Sequence, residues 1–319
     1  MIQKKRKIAV LGTGNVGATI AYTIAMQGIA SEIVLVDINK EKAEGEALDI
    51  SQCAACAPSC KVWSGEYEDV KDSDIIVVTF GVGRKPGQSR LDLAKINIGI
   101  LKSVMPNVAK IAPKALYVIV SNPVDVLTYV TLKCTNLKKE QVIGTGTLLD
   151  SNRLSQAVAS YCKVDTSSVN AYVLGEHGDA CMAPWSLCTI GGVPVKTYAK
   201  KFLKVSKEEL NNELEGIYTG MVQSGAKVIK AKGATYYAIA ASVVKLIKAL
   251  LSDSNAILPL STLLKGEYGA NDMCMGVPCI VNASGLKQVV KLPLDKDEEK
   301  LFSEKIASLD ATYNALEIR

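Results

Sequence analysis

Short, mostly β-branched apolar runs at 8–11, 33–36, 75–79 and 117–120 alternate with stretches of helical periodicity, such as 16–27 and 93–111, through the first half of the chain. Runs so short and so continuously apolar suit strands buried on both faces, and their alternation with helices predicts βαβ units and a covered parallel sheet. From about residue 150 the pattern changes. Residues 150–161, 206–230 and 232–251 read as helices, 257–261 and 276–282 as strands, and 295–316 as a closing amphipathic helix. The expected architecture is α/β, a doubly wound parallel sheet over residues 1–149 followed by an α+β catalytic unit over 150–319. Neither an internal repeat nor a low-complexity linker interrupts it, so both halves are expected to share one compact body.

Composition narrows this picture. With 319 residues, 48% hydrophobic and 22% charged, the chain can bury a sizeable core. The net charge of +5 is spread along the sequence, and the one dense basic run, Lys4-Lys5-Arg6-Lys7, reads as a solvated lead-in to the first strand, so no nucleic-acid partner is expected. The apolar stretch 236–251 is broken by Lys245 and Lys248 and is too short to span a bilayer. Nine cysteines, with only a four-residue apolar run after the basic lead-in, point to reduced thiols in the cytoplasm. Cys53, Cys56 and Cys60 are close enough in sequence to suggest metal, but no fourth ligand is near and the one histidine is far away, so no metal is expected.

Gly12-Thr13-Gly14-Asn15-Val16-Gly17 follows the first strand and opens the first helix, the context in which this spacing signals a Rossmann-type dinucleotide site. Gly12 permits the turn, Gly14 lets backbone approach a pyrophosphate, and Gly17 lets the helix pack on the sheet. Asn15 and Val16 begin the helix, whose unsatisfied N–H groups attract phosphate. Asp37 ends the second strand, 20 residues after Gly17, where a carboxylate accepts ribose hydroxyls and repels a 2′-phosphate. NAD is therefore favoured over NADP.

The only histidine, His177, lies in Gly175-Glu176-His177-Gly178-Asp179. Taken alone it is a core histidine or a general acid–base. Read with Asp150-Ser151-Asn152-Arg153, Ser121-Asn122-Pro123-Val124-Asp125 and the segment from Arg84 to Arg90, the chain resembles the lactate and malate dehydrogenase family from its first strand to its last helix. The resemblance implies that His177 exchanges a proton with the substrate's 2-oxygen and that Asp150 orients it, although Asp150 also suits a helix N-cap. Arg153 would bind the C1 carboxylate of a keto or hydroxy acid, and Arg90, from a family lid spanning 81–89, would polarise the 2-oxygen. Asn122 would touch both substrate and cofactor, and Gly81 the cofactor. It also implies a homo-oligomer, dimer or tetramer. With one histidine in the chain, an ionisation near neutral pH is expected to belong to His177, with a perturbed cysteine or the amino terminus as the alternatives.

The substrate's far end points two ways. Arg84 stands where malate-specific relatives carry arginine, whose charge would pair with a second carboxylate. Thr235 and Gly144-Thr145-Gly146-Thr147 are lactate-dehydrogenase-like. The reading adopted is malate dehydrogenase on a lactate-type framework, with lactate dehydrogenase as the alternative and a non-catalytic NAD-binding protein as a remote one. Ser155 and Asn170 stand where relatives activated by fructose 1,6-bisphosphate carry arginine and histidine, so no such activation is expected.

Overall fold

The computed structural model describes residues 5–83, 87–178 and 180–319. Its parallel sheet comprises β1 (Lys7–Leu11), β2 (Glu32–Val36), β3 (Lys61–Ser64), β4 (Ile75–Val78), β5 (Leu116–Ile119) and β6 (Val142–Gly144), in the order β3-β2-β1-β4-β5-β6. Every residue of β4 and β5 is buried, which is why these strands read as unbroken apolar runs. Helices α1 (Asn15–Met26), α2 (Lys40–Gln52), α3 (Arg90–Ile111) and α4 (Val124–Cys134) make crossovers between them. Strand order reverses between β1 and β4, so their carboxyl ends open a crevice. The sequence pattern left α2, α4, β3 and β6 unmarked. α2 buries only Ala43, Ala47 and Ile50, α4 is buried nearly all round, and β6 is three residues long.

The second half contains α5 (Leu148–Cys162), β7 (Val169–Asn170), β8 (Leu174–Gly175), β9 (Cys181–Met182), β10 (Thr189–Ile190), β11 (Val193–Pro194) and α6 (Val195–Tyr198). It continues with α7 (Lys207–Lys232), α8 (Tyr237–Leu251), β12 (Ala256–Lys265), β13 (Asn271–Asn282), β14 (Gly285–Val289) and α9 (Lys296–Leu316). The helix expected over 232–251 starts later, because Gly233 takes φ +83° and ends α7. The hairpin β12–β13 is longer than its apolar runs suggested. β12 pairs antiparallel with β6 through Ser261 and Gly144, so among the described residues a single 11-stranded sheet runs through both halves. Strands β7, β10 and β11 form a separate small sheet, and a second hydrophobic cluster lies beneath α5 and α7. Among the described residues no helix is long and apolar enough to cross a membrane.

Candidate active site

The glycine turn after β1 fits a dinucleotide. Gly12 has φ +97°, and a Cβ there would lie 2.6 Å from the Phe80 nitrogen, so only glycine lets the turn pass β4. A Cβ on Gly17 would overlap the Gly12 carbonyl oxygen, whereas one on Gly14 would meet nothing within 4 Å, leaving that backbone open to an incoming group. Asp37 shares a cavity of about 270 Å³ with Gly12, Gly14 and Gly81. The Thr13 N–H donates to Asp37 Oδ2 at 2.6 Å and the Asn39 N–H to Oδ1 at 2.9 Å. Partial burial of Asp37 opposes ionisation, but these bonds outweigh it and hold its carboxyl below the ordinary value. A carboxylate with about four acceptor sites keeps capacity for ribose hydroxyls while it braces the turn. The donor set therefore suits NAD.

Asp150 is the third residue of α5, whose N-cap is Thr147, so the N-cap reading of Asp150 is corrected. Its side chain points instead at His177, with Oδ2 2.6 Å from Nδ1. Arg153, one turn on, places Nη1 3.4 Å from the other oxygen, Asp150 Oδ1. The His177 side chain is 25% exposed against 8% for Asp150, so the imidazole can meet a ligand while its partner stays dry. Burial alone would lower the pKa of His177, but the charge and hydrogen bond of Asp150, with the charge of Asp125, raise it above the ordinary value. Asp150 would be raised by its own burial, yet His177 and Arg153 hold it low. The arrangement favours an imidazolium whose Nδ1 is taken, leaving Nε2 for proton exchange.

A buried carboxylate behind this pair received no role from the sequence. Asp125, 1% exposed in the first turn of α4, accepts the His177 backbone N–H at 2.8 Å on Oδ2 and the Ser261 hydroxyl at 2.5 Å on Oδ1. Burial pushes its carboxyl up to about 6 against the hydrogen bonds that favour ionisation. Burial thus shifts Asp125 toward the range in which His177 titrates, and the two groups are coupled through the His177 backbone bond and their charges. A charged residue inside Val124-Asp125-Val126-Leu127, and a serine inside an apolar strand, were the signals available.

A cavity of about 530 Å³ brings together Val16, Gly81, Asn122, Arg153, His177 and Thr235. A second, of about 690 Å³, joins it at Asn122 and His177 and is lined by Arg90. Arg90 is the first residue of α3, capped by Ser89, and a Cβ on Gly178 would lie 3.5 Å from its Nη1, which places the guanidinium beside the histidine segment. Asn15 begins α1, one residue before the cavity-lining Val16. Arg84 lies outside the described residues. Cys53, Cys56 and Cys60 are free thiols, and among the described residues no group of three or more His, Cys, Asp and Glu gathers as metal ligands do.

A family model described as lactate/malate dehydrogenase, NAD binding domain, matches residues 6–144, and one described as lactate/malate dehydrogenase, alpha/beta C-terminal domain, matches 147–317. The L-lactate dehydrogenase of Clostridium botulinum (strain Loch Maree / Type A3) is 43% identical over 316 residues, 98% of each chain. L-lactate dehydrogenase 1 of Clostridium acetobutylicum is 41% identical over 315 residues, 99% of this chain and all of the relative. Among solved structures, the minor L-lactate dehydrogenase from Enterococcus mundtii in the ligands-bound form superimposes with a TM-score of 0.93 at 39% identity, covering 98% of this chain and 99% of that one. These likenesses overturn the malate reading. It rested on one side chain, Arg84, which lies outside the described residues, whereas the similarity to L-lactate dehydrogenases covers 98% of the chain. The chain belongs to the lactate/malate dehydrogenase family and is an NAD-dependent 2-hydroxyacid dehydrogenase.

Proposed function

We propose that the chain is an L-lactate dehydrogenase, interconverting pyruvate and L-lactate. The observation that carries this is the His177–Asp150 pair at 2.6 Å, set beside Arg153 in a chain similar throughout its length to L-lactate dehydrogenases. NAD, when bound, supplies hydride exchange with the substrate's C2. Gly12, Gly14 and Gly17 with Asn15 and Val16 at the start of α1 would hold its pyrophosphate, Asp37 its ribose, and Gly81 and Asn122 the reacting end. His177 Nε2 donates a proton to the 2-oxygen of pyruvate and takes it back from lactate, while Asp150 fixes the ring and stabilises its charged form. The Arg153 guanidinium suits two-point binding of the C1 carboxylate. Arg90 draws charge onto the 2-oxygen as the carbonyl polarises. Thr235 and the apolar Ile239 line the same cavity, uncharged side chains that suit a methyl group.

The test is steady-state NADH oxidation with pyruvate and oxaloacetate at equal concentrations. Pyruvate is expected to give the higher kcat/KM, and a preference for oxaloacetate would sink the proposal. We also infer a homo-oligomer, supported by apolar side chains at the surface such as Phe202 and Tyr237, which are 62% and 67% exposed. Nine unpaired thiols suit a reducing cytoplasm.

A further inference from the structure

Pairing of β4 with β5 ends at Val78 and Ile119, and beyond it both chains run into the site. Backbone bonds carry the linkage only as far as the Val120 and Ser121 N–H groups, which donate to the Val78 carbonyl. Two side chains extend it. Ser121 Oγ donates to the Phe80 carbonyl at 2.5 Å. Farther out, Asn97 of α3 accepts the Val82 N–H on Oδ1 at 2.9 Å, while its Nδ2 donates to the Asn122 carbonyl at 2.7 Å and the Val82 carbonyl at 3.3 Å. Asn97 is only 3% exposed, so its acceptor and both amide hydrogens are committed in a dry place. Its neighbours on the buried face of α3 are Ala94, Ile98 and Leu101, where packing alone would call for an apolar side chain. Gly81 makes the room, since a Cβ there would sit 3.1 Å from Asn97 Oδ1.

We infer that Asn97 is a positioning residue for hydride transfer, acting through Asn122. It locks the Gly81–Val82 backbone, which lines the cofactor cavity, to the backbone of Asn122, which lines the cavity with His177. Two surfaces that must present their ligands to each other are thereby tied by the Asn97 amide, outside the inner tie from Ser121 to Phe80. Displacements well under an ångström between reacting groups are enough to slow the chemistry. The inference rests on the dehydrogenase reading of Asn122 and His177, and does not depend on which keto acid is used.

The test uses Asn97→Leu, close in size but without hydrogen bonds, Asn97→Asp, which keeps only the acceptor toward Val82, Asn122→Ala, and the Asn97→Leu/Asn122→Ala pair. Each full chain is assayed with the keto acid that the wild type turns over fastest, alongside NADH binding by fluorescence and the Tm. Asn97→Leu is expected to lower kcat by about 30- to 100-fold with NADH affinity within about threefold. The double variant should fall no more than about threefold below its weaker parent, because Asn97 holds the Asn122 backbone in order to place the Asn122 side chain, and Asn122→Ala removes the side chain being placed. Losses that multiply in the double variant, or a kcat for Asn97→Leu within threefold of wild type, would overturn the inference. If Asn97→Leu does not fold, Asn97→Asp carries the same comparison with Asn122→Ala. No turnover by the wild type would remove the dehydrogenase reading and this inference together, whereas an active wild type with unaffected variants removes this inference alone.

Discussion

His177 offers one ring nitrogen to Asp150 and keeps the other for a ligand, so its chemistry is set by a partner that is itself nearly dry. Replacing it by asparagine should lower kcat by roughly 10²- to 10⁴-fold, the usual worth of a positioned acid–base group, with NADH affinity little changed when followed by fluorescence. The raised pKa has a definite sign. Reduction needs the protonated ring, so pyruvate turnover should fall as pH rises through that value, while lactate oxidation should rise over the same range. Asp150→Asn removes the two larger forces that raise the pKa and leaves only the charge of Asp125 against burial, which lowers it. Its reduction profile should therefore collapse at lower pH than wild type, and a midpoint that stays put would rule out this role for Asp150. The charge of Asp125 also raises it, so Asp125→Asn should also shift the His177 midpoint downward. The sequence marked His177, Asp150 and Arg153 as candidates because they sit in short motifs of distinctive residue types, and the fold brings the three together. Asp125 and Asn97 escaped because their partners, the His177 backbone and Ser261 hydroxyl for one and the Val82 and Asn122 backbones for the other, come from other segments of the chain.

At the scale of elements, the turn between β1 and α1 separates two roles that glycine plays. Gly17→Ala forces a methyl into the Gly12 carbonyl and should lower both Tm and NADH affinity. Gly14→Ala has open space around its methyl, so Tm should hold while NADH affinity falls, because the methyl stands where a pyrophosphate would approach. Equal Tm losses in the two variants would contradict this division. Strands β1, β2, β4 and β5 were legible because burial on both faces leaves an unbroken apolar run. β6 was not, since three residues carry too little pattern, and α4 was not, since a helix buried nearly all round has no polar stripe to mark its period. Thr147 stands at the N-cap position of α5, its hydroxyl donating to the Val173 carbonyl, while Asp150, the third residue of the helix, directs its carboxylate to His177.

At the scale of the whole molecule, the fold class and the order of its halves could be read from hydrophobic period, but the preferred substrate could not. That reading leaned on Arg84 alone, and one residue type weighs less than similarity to L-lactate dehydrogenases over 98% of the chain. Ser155 and Asn170 lack the positive charge that would hold a sugar bisphosphate, so fructose 1,6-bisphosphate at micromolar concentration should leave the rate unchanged. Light scattering should return a multiple of 34.0 kDa. The meeting of β6 and β12 has a consequence for how the molecule comes apart. Ser261 pairs with Gly144 across that seam and also holds Asp125 behind His177, so neither half can melt without stripping a buried carboxylate of its partner. Calorimetry should therefore record one cooperative transition for the chain, with catalytic competence lost in the same step as the fold.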